Sequence, residues 1–176
     1  MRRLSQLLLI AAVLSTAVFV GALLAQASQQ APADAQSSLV EDFSYPNAEN
    51  IQANYGVVLV SGDGHILFAD CNTPPVNNIG LMQVHTVDEL GINHDGRICF
   101  KVIGSVGHLE MRIPAVYEIR GDGQTAGTGH PATAGLTTDD GTHTTVTINP
   151  SGSTPVGVGA QPGNPPTTLL TLNVPS

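Results

Sequence analysis

The residues best suited to chemistry in this sequence are its histidines, several of which stand beside aspartates. There are six of them: His65, His85, His94, His108, His130 and His143. Imidazole and carboxylate groups together can bind Zn²⁺ or Cu²⁺, and Asp63, Asp95 and Asp122 could supply the carboxylates. However, neighbouring histidines are at least nine residues apart, with no His-x-His or His-x-x-x-His pair. We therefore expect histidines exposed at turns, with no metal and no other cofactor.

The repeated Asp-Gly pairs suggest a second metal hypothesis, because Ca²⁺ binds carboxylate and carbonyl oxygens. These pairs lie at 63–64, 95–96, 122–123 and 140–141. None belongs to an Asp-x-Asp-x-Asp loop, and Asp-Gly is typical of tight turns, so we interpret all of them as turns. Arg120-Gly121-Asp122 matches the tripeptide that integrins recognise. Each of its residues also suits a strand end, and we expect only that structural role.

The sequence shows no nucleophile paired with a base. Gly104-Ser105-Val106-Gly107 lacks the Gly-x-Ser-x-Gly order of a nucleophile elbow. Asp139 and Asp140 are adjacent on a turn, where side chains diverge, whereas a glycosidase needs two carboxyl groups facing each other across a cleft. A phosphate-binding Gly-x-x-x-x-Gly-Lys motif is also absent from the sequence. We therefore predict a protein that is not an enzyme and has no catalytic residues.

The charge of the chain makes two classes of partner improbable. The chain has 14 acidic and six basic residues, and the loss of Arg2 and Arg3 would leave four basic residues and a net charge of −10. Nucleic acid and anionic lipid are bound by basic surfaces that displace counterions. Neither is an expected partner, and the expected ligand is an extracellular molecule that the sequence does not identify.

The N-terminal segment has the three parts of a secretory signal peptide. Arg2-Arg3 precedes an apolar run over residues 7–25, and Ala25-Gln26-Ala27 places small residues at a cleavage site. This pattern predicts a signal peptide over 1–27, cleaved between Ala27 and Ser28. The alternative is an uncleaved anchor, which would be the chain's one contact with a membrane. Both interpretations place the rest of the chain outside the cytoplasm, and we expect a secreted protein.

Composition divides the exported part into a tether and one domain. Residues 28–43 are rich in Ala, Gln, Ser and Pro, which is typical of a flexible tether. Residues 44–176 have the length of a single domain. Cys71 and Cys99 are the two cysteines, and outside the cytoplasm we expect them to form a disulfide. A free reactive thiol or a metal thiolate is the alternative.

The elements that position these side chains are short strands separated by turns. A short helix is predicted between Pro46 and Gly56, and two apolar runs around Gly62-Asp63-Gly64 predict a central β-hairpin over 57–71. Further strands are predicted at 81–87, 97–102, 108–113, 115–119, 133–138, 142–148 and 167–174. Pro114 predicts a bend or a break between two of them. The pattern favours an all-β fold, an antiparallel β-sandwich of about eight strands, with a β-barrel as the alternative.

One short segment carries a resemblance to known extracellular domains. Ile113-Pro114-Ala115-Val116-Tyr117-Glu118-Ile119 resembles the Pro-x-x-Tyr corner of prealbumin-like and immunoglobulin-like domains, in which a tyrosine hydroxyl bonds to the backbone. The whole chain resembles small secreted β-sandwich proteins of Gram-positive bacteria that have no assigned activity. These resemblances imply an extracellular sandwich and add no catalytic residue.

Three functions are compatible with the sequence. The first is a secreted, non-catalytic binding or surface-interaction module, which we expect to be a monomer. The second is a small extracellular metal-dependent hydrolase or metal-binding protein that uses some of the histidines and aspartates. The third is an inhibitor of extracellular enzymes that presents a rigid loop, such as residues 72–78 beside the disulfide.

Overall fold

The computed structural model describes residues 43–176, which form one α-helix, α1 (Ala48–Tyr55), and nine β-strands. The strands are β1 (Val58–Gly62), β2 (Ile66–Ala69), β3 (Met82–Thr86), β4 (Arg97–Val102), β5 (Gly107–Arg120), β6 (Ala132–Thr138), β7 (His143–Ile148), β8 (Ser153–Pro155) and β9 (Thr167–Val174). A 3₁₀ turn, Gly157–Gly159, follows β8. The predicted signal peptide and all but the last residue of the predicted tether lie outside the described residues.

Helix α1 forms within the predicted segment. It ends at Gly56, whose φ of 68° is left-handed and is adopted by glycine without strain. The N–H of Gly56 donates to the carbonyl of Gln52 at 2.9 Å and closes the last turn. Ile51 is buried and Tyr55 packs against the core, so one face of the helix lies on the sheet.

Strand β5 connects two groups of strands. Its first half pairs with β1 and β9, and its second half pairs with β3 and β8. The strand runs unbroken through Pro114, which cannot donate to a ladder. Its register with β3 and β9 shifts near this proline, where Ala115 has a φ of 51°. One group has the strand order β7-β6-β9-β5-β1, and the other has the order β2-β4-β3-β5-β8. All strand pairs are antiparallel. The sheet of the described part does not close into a barrel. The predicted all-β, antiparallel fold is confirmed.

A single hydrophobic core lies between the two groups of strands. Phe100 of β4, Ile113 of β5, Leu136 of β6 and Leu172 of β9 all belong to it, and each is at most 3% exposed. Side chains alternate between the two faces of a strand, and strands β3 and β6 show this alternation, with every second residue buried over most of their length. Enclosure of one core between two strand groups is the arrangement of a sandwich.

The predicted central hairpin over 57–71 is wrong. Strands β1 and β2 flank the expected turn, but β1 pairs with β5, whereas β2 pairs with β4 at the end of the sheet. The carboxylate of Asp63 accepts hydrogen bonds from the N–H groups of His65 at 3.0 Å and His108 at 2.9 Å. The turn is therefore bound to β5, and β1 and β2 diverge on leaving it.

Candidate functional site

The structure does not bring the six histidines together. Within residues 43–176, no group of three His, Cys, Asp or Glu side chains is placed to hold a metal ion. The histidines have different surroundings: His65 lies beside Asp63, His85 against Tyr117, His94 in the loop before β4, His108 between Asn173 and Glu110, His130 on Asp122, and His143 at the exposed start of β7. The metal hypothesis therefore finds no preformed site in this part of the chain.

One side-chain network in the described part of the chain crosses β1, β5 and β9. The Ser61 hydroxyl donates to Glu110 Oε2 at 2.7 Å, and His108 Nε2 lies 3.6 Å from Glu110 Oε1. On its other side, His108 Nδ1 is 2.6 Å from Asn173 Oδ1. The hydrogen bond from Ser61, followed by the contacts with His108, lowers the pKa of Glu110. The serine bonds to the carboxylate and not to the imidazole, so the network differs from the serine–histidine arrangement of a catalytic triad.

Asp122 is the one charged side chain of the described part that is fully buried. Its Oδ1 accepts the backbone N–H of His130 at 2.8 Å, and its Oδ2 lies 2.6 Å from His130 Nδ1. This pairing orients the imidazole and gives the buried carboxylate the partners that it requires. With Asp122 at 0% exposure, the Arg120-Gly121-Asp122 tripeptide cannot present its carboxylate to an integrin.

The predicted disulfide between Cys71 and Cys99 is confirmed, with a Cα–Cα distance of 5.2 Å. Cys99 is a fully buried residue of β4, and Cys71 follows the end of β2. The bond therefore ties the end of an outer strand to its neighbour. Because both cysteines are paired, the alternative of a free thiol or a metal thiolate is wrong.

The loop over residues 72–78 is held firmly but is not extended. Val76 is 67% exposed, yet its N–H and C=O are both bonded to Ile79, at 2.8 and 3.0 Å. Asn78 is fixed through its carbonyl, which accepts the N–H of Gln124 at 2.9 Å. A loop that imitates a protease substrate must offer free backbone groups from an extended segment. Val76 has none to offer, which weighs against the inhibitor hypothesis at this residue.

Four strands in the described part pair with one strand only and therefore have a free edge: β1, β2, β7 and β8. An exposed edge offers unpaired N–H and C=O groups to other chains, and proteins usually shorten, cover or charge it. The edge of β1 is covered by the preceding segment, since Tyr45 N–H donates to the carbonyl of Val60 at 3.0 Å. Strand β8 is only three residues long and ends in Pro155.

The edge of β2 is capped by a side chain. The hydroxyl oxygen of Tyr45 accepts the N–H of Phe68 at 2.7 Å, and Tyr45 is only 8% exposed. Burial raises the pKa of Tyr45, an effect partly offset by this hydrogen bond. The ring of Tyr55 packs 5.6 Å from that of Phe68. Helix α1 and the segment before it thus cover the outer strand of this group.

The edge of β7 has none of these protections. The strand is six residues long, with the sequence HTTVTI, and contains no Lys, Pro, Asp or Glu. Its register with β6 is continuous, without a bulge. Bulges, charges and prolines are the features that prevent an edge from pairing with another chain. Strand β7 is therefore the longest unprotected edge among residues 43–176.

The backbone groups on this free edge follow from the pairing of β6 with β7. Across the turn between them, Thr138 N–H donates to Thr142 O at 3.0 Å. In an antiparallel ladder, hydrogen-bonded pairs alternate with non-bonded pairs, so Thr144 and Val146 bond to β6. The N–H and C=O groups that point away from β6 belong to His143, Thr145 and Thr147.

An apolar groove of about 260 Å³ opens beside β7, between this strand and the segment that contains β8. Its apolar lining comes from Leu136, Val146, Pro155, Val156, Ala160 and Pro165, and its polar lining from Thr138, Thr144, Asn164 and Thr167, with Gly157 completing it. Leu136 and Val156 are buried core residues, so the groove reaches the hydrophobic core. It is a concave apolar site with a few polar groups, the usual character of a binding pocket.

None of the groove residues is a site predicted from the sequence. Residues 142–148 are predicted as a strand, but the position of that strand at the end of a sheet depends on distant pairing. Solvent-exposed edge strands normally contain charged residues or proline. The signal available in the sequence is that this threonine-rich run has no Lys, Arg, Asp, Glu or Pro.

Compared with known proteins, the chain matches no protein-family model and no curated protein.

Proposed function

We propose that this chain is an exported, non-catalytic binding module and that its binding site is the groove beside β7. The observation that carries the proposal is an apolar groove that reaches the core and adjoins an unprotected sheet edge. Export is supported by the signal-peptide pattern of residues 1–27 and is compatible with the disulfide. No helix within residues 43–176 is long and apolar enough to cross a membrane.

The lining of the groove indicates what kind of group it binds. Apolar surface gains about 25 cal/mol for each Å² removed from water, so aliphatic side chains are the groups that this lining favours. The threonine hydroxyls and the Asn164 amide at the groove can orient a polar backbone that accompanies them. A ligand with both features, such as a peptide, fits better than a charged metabolite.

The hydrolase or metal-binding alternative has less support. It needs imidazole and carboxylate groups that converge, whereas the pairs of His65 with Asp63 and His130 with Asp122 each contain one histidine. Native mass spectrometry of the secreted protein, with and without a chelator, compares the two functions directly. The binding-module proposal predicts no stoichiometric metal, and a metal lost on chelation would contradict it. The same spectra test export, because a secreted chain that does not begin at Ser28 would contradict the proposed cleavage.

The groove itself can be tested by nuclear magnetic resonance (NMR) with a small probe, the capped dipeptide N-acetyl-valyl-valine amide. We expect saturable shifts of the methyl signals of Leu136 and Val146. Val146→Asp places a carboxylate in the groove and should abolish these shifts. Val87→Asp is the matched control, since Val87 is 66% exposed and does not line the groove. The proposed site would be contradicted if the methyl signals of Leu136 and Val146 did not shift, or if the two variants bound the dipeptide equally well.

A further inference from the structure

Resting on the proposed function, we infer that the groove binds an extended peptide segment of a partner protein. The segment adds to the free edge of β7 as a further antiparallel strand and places alternate apolar side chains in the groove. Two independent features of the structure meet at this place: the unpaired backbone edge of β7 and the apolar groove beside it.

The backbone of β7 is prepared for an added strand. Each outward-facing residue, His143, Thr145 and Thr147, has one N–H donor and one C=O acceptor directed away from β6. An extended peptide placed along this edge exchanges hydrogen bonds with these groups, which is the strand-addition mode of peptide recognition. The other free edges of the described part are short or covered, so β7 is the edge that can take a peptide of this length.

The faces of β7 define the pattern of the peptide. Thr144 and Val146 line the groove, and cross-strand neighbours point to the same face of a sheet. The two peptide residues opposite Thr144 and Val146 therefore enter the groove and should be aliphatic. On the other face, Thr145 and Thr147 are exposed, and Thr147 is in register with Thr133 of β6. The intervening peptide residues meet hydroxyl groups there and should be polar.

Charge defines the expected end groups of the peptide. Three of the 14 acidic and two of the six basic residues precede residue 43, so the described part has a net charge of −7. Asp139 and Asp140 are exposed in the turn before β7. The C-terminal end of an antiparallel peptide lies at this turn, where Lys or Arg would find opposite charge and would accelerate association. The partner segment is therefore neutral or basic, with alternating aliphatic residues.

The probe for this inference is a synthetic peptide, acetyl-Thr-Val-Thr-Val-Thr-Val-Lys-Lys-amide. Its affinity for the secreted protein is measured by fluorescence anisotropy, and its position by NMR amide exchange. We expect saturable binding that slows amide exchange at Thr145 and Thr147. A peptide of the same composition with its three valines consecutive should bind more weakly, because only one face of a strand meets the groove. Equal affinity of the two peptides would overturn the predicted alternation.

A protein variant separates strand addition from simple insertion of side chains. Thr145→Pro removes an N–H that points away from β6, and proline is tolerated at such edge positions. We expect it to weaken peptide binding about tenfold, through lost hydrogen bonds and steric hindrance. Thr145→Ala is the matched control, since it keeps the N–H and should bind within about twofold of the native affinity. If Thr145→Pro were to misfold, peptides N-methylated at the residues that face Thr145 would test the same bonds with the native protein.

The possible outcomes are distinguishable. Native affinity in Thr145→Pro and for the N-methylated peptides, together with loss of binding in Val146→Asp, would overturn strand addition and leave the proposed groove standing. Failure of both the dipeptide and the peptide to move groove signals would overturn the proposed function as well. Slow exchange of Thr145 in the free protein would mean that the edge is already occupied. If that slow exchange depended on protein concentration, the edge would be occupied by a second copy of the protein. If it did not, the edge would be occupied by another segment of the same chain. Either result would overturn the proposal that a partner peptide binds there.

Discussion

Strands β2 and β7 lie at the two ends of the longest path of paired strands in the described sheet. The edge of β2 is protected, whereas the edge of β7 is open. The β2 edge is only four residues long, its Phe68 N–H is bonded by the Tyr45 hydroxyl, and its end is tied by a disulfide. The β7 edge is six residues long and has no Lys, Arg, Asp, Glu, proline, bulge or covering segment in the described part. Edge protection in this sheet is therefore local to β2, and the open edge of β7 supports our proposal that it is a binding site.

Removal of the disulfide should have the largest effect on the protected side. The bond closes a loop with a sequence separation of 28 residues. On the chain-entropy account, the double variant Cys71→Ser, Cys99→Ser should lose about 3–4 kcal/mol of unfolding free energy. Urea denaturation of the two proteins measures this difference. A loss below about 1 kcal/mol would show that the loop is constrained without the bond.

The cap on β2 should have the next largest effect. Tyr45→Phe leaves the N–H of Phe68 without its acceptor, which should cost about 1–2 kcal/mol of unfolding free energy. It should also accelerate amide exchange at Phe68. Tyr55→Phe is the matched control, because that ring packs on Phe68 while the Tyr45 hydroxyl makes the bond. Equal effects of the two substitutions would mean that the hydrogen bond to the Tyr45 hydroxyl does not protect the edge.

The turn that separates β1 from β2 should show a pH-dependent effect. Burial raises the pKa of Asp63, but hydrogen bonds from the N–H groups of His65 and His108 outweigh it and lower the pKa below the ordinary 3.8. The ionised carboxylate therefore stabilises the fold above that value, and its contribution is lost as the pH falls through the lowered pKa. Asp63→Asn should cost about 1 kcal/mol at pH 7. Unfolding free energies at pH 7 and pH 3 measure the difference, which should shrink at pH 3; a constant difference would contradict this role.

A charge on the open edge should have the smallest effect on stability. Thr145→Lys adds the kind of residue that protects natural edges, at an exposed position, and should change the unfolding free energy by no more than about 0.5 kcal/mol. It should nevertheless reduce self-association at high protein concentration, as measured by light scattering. Thr133→Lys, on the same face but inside the sheet, is the control. If both variants scattered equally, the open edge would not be the cause.

Much of the fold is predictable because its signals are local. Helix α1 lies between Pro46 and Gly56, and most strands follow runs of apolar residues or threonine between turns. The export pattern makes a disulfide the expected state of the two cysteines. The partners of β1 and β2 are not local: Asp63 bonds to His108, 45 residues away in the chain. Strand β8 has only three residues including Pro155, which leaves no strand pattern to detect.

The candidate site is less predictable than the fold, for a related physical reason. A groove beside β7 exists only because β7 ends one group of strands and β8 ends the other. Neither fact follows from the residues of β7 alone. The histidines have the clearest chemical signal in the sequence, yet the fold disperses them because each stands in a different turn or strand. Residues such as Val146 and Val156 have no chemical signal and acquire a role only from their position.

Amide hydrogen exchange, followed by NMR with and without the alternating peptide, compares the protected edge of β2 with the open edge of β7 in one experiment. We expect slow exchange at Phe68 in both states, because the Tyr45 hydroxyl already accepts its N–H. We expect fast exchange at Thr145 in the free protein and slow exchange in the peptide complex. A Thr145 amide that still exchanges fast when the groove is saturated, or that is already slow in the free protein, would contradict strand addition at β7.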